Sequence, residues 1–183
     1  MRAFVAVEIE LQIRRAIFAA VARIRESGIK ASWVKIDSMH LTLKFLGDIR
    51  AEQVPEVVDV LEQAASVSSP FTIQIADLGA FPSARRPRVM WTGVRDPAHA
   101  LQVLARSIDL GLRPLGVDKG KGEFHPHITL ARVRGRSGDL TERLDDPFEG
   151  GEQEVGAIVL FQSELEPSGA IHTPIARVAL GGP

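Results

Sequence analysis

Two short stretches of this 183-residue chain repeat one pattern. "HLTLKFLG" begins at His40 and "HITLAR" begins at His127. Each reads His-x-Thr-x with aliphatic residues at the x positions. Side chains on a β-strand alternate between its two faces. His40 and Thr42 therefore share one face, and Leu41 and Leu43 the other. His127 and Thr129 likewise oppose Ile128 and Leu130. The aliphatic face anchors each strand in a core. The polar face presents an imidazole and a hydroxyl whose backbones lie roughly 6.5–7 Å apart. One such strand is an ordinary half-exposed strand. Two of them, about half a chain apart and drawing on only five histidines, would offer two imidazoles and two hydroxyls to one cavity.

The rest of the chain reads as a framework for those strands. Residues 3–9, "AFVAVEI", are apolar and β-prone. Residues 10–26 place Ile13, Ile17, Val21 and Ile24 at helical spacing. Gly47 closes the first His-x-Thr-x strand. A second helix over 51–65 carries Val54, Val57, Val58, Leu61 and Ala65, with Pro55 in its first turn, where proline is tolerated. Residues 71–81 and 88–94 alternate as strands. Asp96-Pro97 has the form of a helix cap followed by a first-turn proline, and Leu101, Leu104, Ile108 and Leu112 give the ensuing helix a buried stripe. Residues 116–123, "GVDKGKGE", read as a mobile loop whose Lys119 and Lys121 can close over substrate. "EVGAIVLFQSEL" and "AIHTPIARVAL" close the chain as two strands. A helix precedes each His-x-Thr-x strand, so the order suggests an internal duplication within one unit, 1–183.

Composition narrows the chemistry. There are no cysteines, which rules out disulfides, zinc–thiolate sites and iron–sulfur clusters. There is no tyrosine to supply a phenol. The net charge of −1 gives no overall attraction to nucleic acid or membrane, so any basic site is local. No apolar run approaches the roughly 20 residues of a membrane span, and no export signal is visible at the N-terminus. The expectation is a cytoplasmic monomer without a cofactor. Two imidazoles with two hydroxyls suit a phosphodiester. Hydroxyls donate to non-bridging oxygens, one neutral imidazole accepts a proton from the nucleophile, and the other, as imidazolium, protonates the leaving oxygen.

The chain resembles the 2H phosphoesterases, and within them the RNA 2′,3′-cyclic phosphodiesterases, also called 2′-5′ RNA ligases. "FVAVEI", "HLTLKFLG", "RPRVMWTGV", "FHPHITLAR" and "LFQSELEPSGAIHTPIARVAL" carry the resemblance over nearly the whole length. It implies a bilobed α+β fold: two antiparallel sheets with outer helices, related by a pseudo-twofold around a central groove. It implies an RNA partner ending in a 2′,3′-cyclic phosphate, such as a tRNA fragment, opened to a 2′-phosphomonoester. His40 would be the proton donor and His127 the proton acceptor. Thr42 and Thr129 would bind the phosphate, with Arg132. Regular alternation puts Arg132 on the wrong face, so a bulge or strand end near residue 131 is required. Phe4 and the arginines of "SARRPRVMW", Arg85, Arg86 and Arg88, are candidate RNA contacts.

Other residues are assigned more modestly. Lys44 has the parity to join His40 and Thr42. His125 shapes the loop before His127, His99 faces solvent, and His172 is structural or lies at the groove edge. Trp33 and Phe45 are assigned to packing. A metal site of His40, His125 and His127 lacks a carboxylate or fourth ligand. Three competing functions use the same residues: 2′-5′ ligation by the reverse reaction, turnover of a small cyclic phosphate, and binding of RNA ends without chemistry. No nucleotide-dependent phosphate loop is present.

Overall fold

A computed structural model describes residues 1–95, 98–120, 122–135, 138–166 and 169–181. The Asp96-Pro97 cap and Lys121 lie outside the described residues. Among the described residues the nine strands are β1 (Arg2–Glu8), β2 (Ala31–Trp33), β3 (His40–Asp48), β4 (Phe71–Phe81), β5 (Val89–Arg95), β6 (His127–Val133), β7 (Glu149–Val155), β8 (Ala157–Glu166) and β9 (Gly169–Ala179). The helices are α1 (Leu11–Ala20), α2 (Ala22–Glu26), α3 (Val54–Ser66), α4 (Ala98–Leu112) and the single turn α5 (Thr141–Leu144).

The strands run antiparallel in the order β7-β4-β5-β6-β3-β1-β8-β9, with β2 added to β6. The two halves of the sheet meet at β3 and β6, where a single bridging pair, Leu41 with Ile128, holds them together. Outward from this seam the order is β3, β1, β8, β9 on one side and β6, β5, β4, β7 on the other. Helix α1 follows β1 and leads toward β3, as α4 follows β5 and leads to β6. This is the pseudo-twofold that the repeated motif implies. The two sheets are thus halves of one sheet, joined at its narrowest point by the His-x-Thr-x strands.

Helices cover one face. The α4 stripe Leu101, Leu104, Ile108 and Leu112 is fully buried, as are Val57 and Leu61 of α3. Each such side chain contributes about 1.5–3 kcal/mol. Helix α4 lies against β3 and α1 against β7, so each crossover helix covers a strand of the other half. Buried Gln153 of β7 ties that junction: its Nε2 donates to the Glu8 carbonyl, and its Oε1 accepts from the Glu10 amide, both at 2.9 Å.

The structure departs from the sequence reading at three elements. The helix expected over 10–26 breaks at Val21 into α1 and α2. "EVGAIVLFQSEL" is not one strand, because β7 ends at Val155 and β8 begins after Gly156. The first part of the stretch expected to be a mobile loop is held at Asp118 and Gly120. Buried Lys44 hydrogen-bonds Asp109 of α4 and donates to the Asp118 carbonyl at 2.6 Å, and the Gly120 amide reaches Asp109 at 3.5 Å. No helix among the described residues is long and apolar enough to cross a membrane.

Candidate active site

The seam places the two motifs side by side. Leu41 and Ile128 are fully buried and paired, so His40, Thr42, His127 and Thr129 all point to the face opposite the helices. Extending the antiparallel register one residue each way sets His40 beside Thr129 and Thr42 beside His127. The imidazoles then lie on a diagonal, with backbones roughly 8 Å apart. A cavity of about 520 Å³ opens here, with His40, Thr42, Thr129 and Arg132 in its wall. His127 lies at the end of this wall, outside the cavity's own lining, and Phe81 packs edge-on to its ring at 5.2 Å.

Both imidazoles are oriented by the same device. His40 Nδ1 is 2.8 Å from the Ser38 carbonyl, and His127 Nδ1 is 2.7 Å from the His125 carbonyl. A carbonyl only accepts, so each Nδ1 carries the proton and each neutral ring keeps Nε2 as a free base. His125 therefore acts through its backbone, while its side chain and that of His99 are exposed.

A bulge follows each threonine. Ala6 pairs with Thr42 and Val5 with Lys44, leaving Leu43 extra in β3. Trp91 pairs with Thr129 and Met90 with Ala131, leaving Leu130 extra in β6. Leu43 and Lys44 are consequently both buried, as are Leu130 and Ala131. Alternation resumes one residue late, which returns Phe45 and Arg132 to the groove face. This is the bulge that Arg132 required. It also reverses the expectation for Lys44, which is turned into the core beside Asp109. Burial alone would push the Asp109 carboxyl up, but hydrogen bonds from Lys44 and Arg113 hold it down at about 2.

The groove is asymmetric. On the His40 side Phe4 stacks on His40 at 4.7 Å and on Phe161 at 5.2 Å, and His172 meets His40 edge-on at 5.1 Å. Burial lowers the His40 pKa to about 4, partly offset by the Ser38 carbonyl and reinforced by His172. Burial also lowers that of His172. On the His127 side the Trp91 indole lies over Gly79 and Gly93, where a Cβ on Gly79 would come within 2.3 Å of it.

Comparison with known proteins gives the family. The family model described as LigT like Phosphoesterase matches residues 7–91 and 93–172, one span around each motif. The chain belongs to the LigT-like phosphoesterases, within the 2H phosphoesterase superfamily. It is 35% identical over 158 residues to a protein of Aquifex aeolicus named RNA 2′,3′-cyclic phosphodiesterase, covering 84% of each chain. A protein of the same name from Aeropyrum pernix is 34% identical, over 86% of this chain and 93% of its own. Among solved structures, TT0787 of Thermus thermophilus superposes with a TM-score of 0.86 at 28% identity, over 100% of this chain and 99% of that one. E. coli LigT complexed with 3′-AMP superposes with a TM-score of 0.81 at 27% identity, over 98% and 97%.

Within this LigT-like groove several sequence assignments change. Phe4 borders the cavity but is only 3% exposed, with His40 and Phe161 stacked on its faces, so it backs the imidazole. Phe45 is the open aromatic, 62% exposed and in the cavity wall, and not a packing residue. Trp33 both packs on the core and lines the cavity. Arg86 and Arg88 are exposed at the turn between β4 and β5 and do not line it. Arg88 bonds at the level of Val133, a residue off the Arg132 face. His172 does lie in the wall. The lag after a bulge is what hid Phe45 and Lys44, since strict alternation assigns both to the wrong face. Among the described residues no three His, Asp or Glu side chains converge as a metal site.

Proposed function

We propose that this chain hydrolyses the terminal 2′,3′-cyclic phosphate of RNA to a 2′-phosphomonoester, with the two imidazoles as its acid and base and without a metal. The observation that carries the reading is the pair of oriented rings, each with Nδ1 tied to a backbone carbonyl and Nε2 free, on either side of one seam. His127 Nε2 takes a proton from water as it attacks phosphorus. The bond from phosphorus to the 3′ oxygen breaks, and His40 gives that oxygen a proton. Thr42, Thr129 and Arg132 hold the non-bridging oxygens as charge builds on them. Phe45 offers its exposed face to the terminal base. His40 is neutral in the empty groove, with a pKa of about 4. The negative phosphate supplies the charge that raises it, since an adjacent anion favours imidazolium. The names of the relatives support this substrate. Ligation would use the same proton transfers with a 5′-hydroxyl in place of water, and adding an RNA with a free 5′-hydroxyl to the same assay reads it.

The test is turnover of a short RNA ending in a 2′,3′-cyclic phosphate, with EDTA present. His40→Ala and His127→Ala should each lower kcat by about 10²–10⁴. Undiminished turnover in either variant, or loss of wild-type activity in EDTA, would refute the two-histidine, metal-free reading.

A further inference from the structure

We propose that Lys30 and Arg134 form an outer phosphate subsite. It takes the backbone phosphate next upstream of the reacting end and directs the RNA strand out of the groove along the β2–β6 ribbon. This inference rests on reading the groove as a cyclic phosphodiesterase site. Ser32 pairs with Arg132 and Ala31 with Val133, and the Arg134 amide donates to the Lys30 carbonyl at 2.7 Å. Lys30 is thus opposite Arg134, one full alternation beyond the Ser32–Arg132 pair. Alternation keeps all four side chains on one face, and Ser32 and Arg132 already line the groove. Arg134 follows Arg132 by about 6.5–7 Å, on the order of one phosphate step along an extended strand.

Two cations directly across a ladder repel. Both are exposed, and no carboxylate lies within 4 Å of either among the described residues. The chain carries a net charge of −1, so general basicity does not place them there. An anion between them relieves the repulsion. Lys35, exposed in the groove wall, continues the positive side inward. The opposite rim is less charged: Arg2 lines it beside the exposed apolar side chains Phe45 and Leu165, at 62% and 74%. That rim suits a base, and the β2–β6 ribbon suits the backbone phosphates that follow it.

The experiment compares three substrates in wild type and in Lys30→Ala/Arg134→Ala. They are cytidine 2′,3′-cyclic phosphate, a trinucleotide with the same cyclic end, and that trinucleotide with a neutral methylphosphonate at the linkage nearest the end. Wild type should prefer the charged trinucleotide to the mononucleotide by about tenfold in kcat/KM, mainly through KM. The double variant should lose that ratio, and the neutral linkage should lose it equally, with no further loss when the two are combined. The slope of log kcat/KM against log salt should flatten by about 0.7 for the one phosphate contact removed. A Lys30→Arg exchange should keep the preference. An unchanged ratio and slope in the double variant, or no preference in wild type, would overturn the subsite while leaving the mononucleotide reaction standing. Failure of wild type on every substrate would instead overturn the reading of the groove, and the subsite with it.

Discussion

His40 shows how the packing around one residue sets both its charge and the pH dependence of stability. Phe4 against its face and His172 at its edge take the ring out of water and lower its pKa from 6.5 to about 4. In the unfolded chain the ring takes up a proton near pH 6.5, while the folded chain resists until about pH 4. The unfolded state therefore binds more protons between these values. The stability this contributes is complete above pH 6.5 and is lost as pH falls toward 4, by at most about 3 kcal/mol. The stability of wild type relative to His40→Asn should fall across that window, as read by urea midpoints at about pH 7 and about pH 4.5. A constant difference would mean that His40 titrates normally. Adding a phosphomonoester such as 3′-AMP should raise the His40 titration midpoint by more than about one unit in NMR, because the anion favours the charged ring. These side-chain effects were not visible in the sequence. The His-x-Thr-x spacing made the polar face legible, but Phe161 and His172 reach His40 only through strands β8 and β9.

At the scale of elements, the alternation of β3 and β6 was readable up to each threonine and failed just after it. A bulge leaves no fixed residue signature, and "TLKF" and "TLAR" read equally well as regular strand. Arg132 gave the only hint, because its expected phosphate role conflicted with its parity. Sheet register was equally illegible where a ring replaces a side chain. The Trp91 indole fills the place of a Gly79 side chain and stands beside Phe81, which abuts His127. Gly79→Ala should displace the indole. We expect a stability loss of about 1–3 kcal/mol and a fall in kcat larger than any change in KM. Wild-type kinetics in that variant would show that the indole does not support His127. Lys44 joins β3 to α4 and to the loop before β6. Lys44→Met should leave Asp109 with Arg113 and the Gly120 amide and cost about 3 kcal/mol, measured by urea unfolding at neutral pH.

At the scale of the molecule, the duplicated order of helix and motif strand disclosed the pseudo-twofold, and the ordinary apolar periodicities disclosed most helices. The sequence could not disclose how the halves interlock. β1 and β3 are completed by β8 and β9 from the end of the chain, and α1 is covered by β7. Neither sequence half owns a closed core. Unfolding in urea should therefore be a single transition, with fluorescence of the remaining tryptophan and far-UV circular dichroism giving coincident curves within each of Trp33→Phe and Trp91→Phe. Separate midpoints would reveal independently stable halves. The same interlocking brings one imidazole from each half to the β3–β6 seam, and the central claim is that both serve one phosphate. Its most direct test is phosphorus NMR of a short RNA bearing a 2′,3′-cyclic end, incubated with wild type in ¹⁸O-water and EDTA. A single 2′-phosphomonoester carrying one ¹⁸O is the predicted product, absent with His40→Ala or His127→Ala. A 3′-phosphate, or an unchanged cyclic end with wild type, would contradict it.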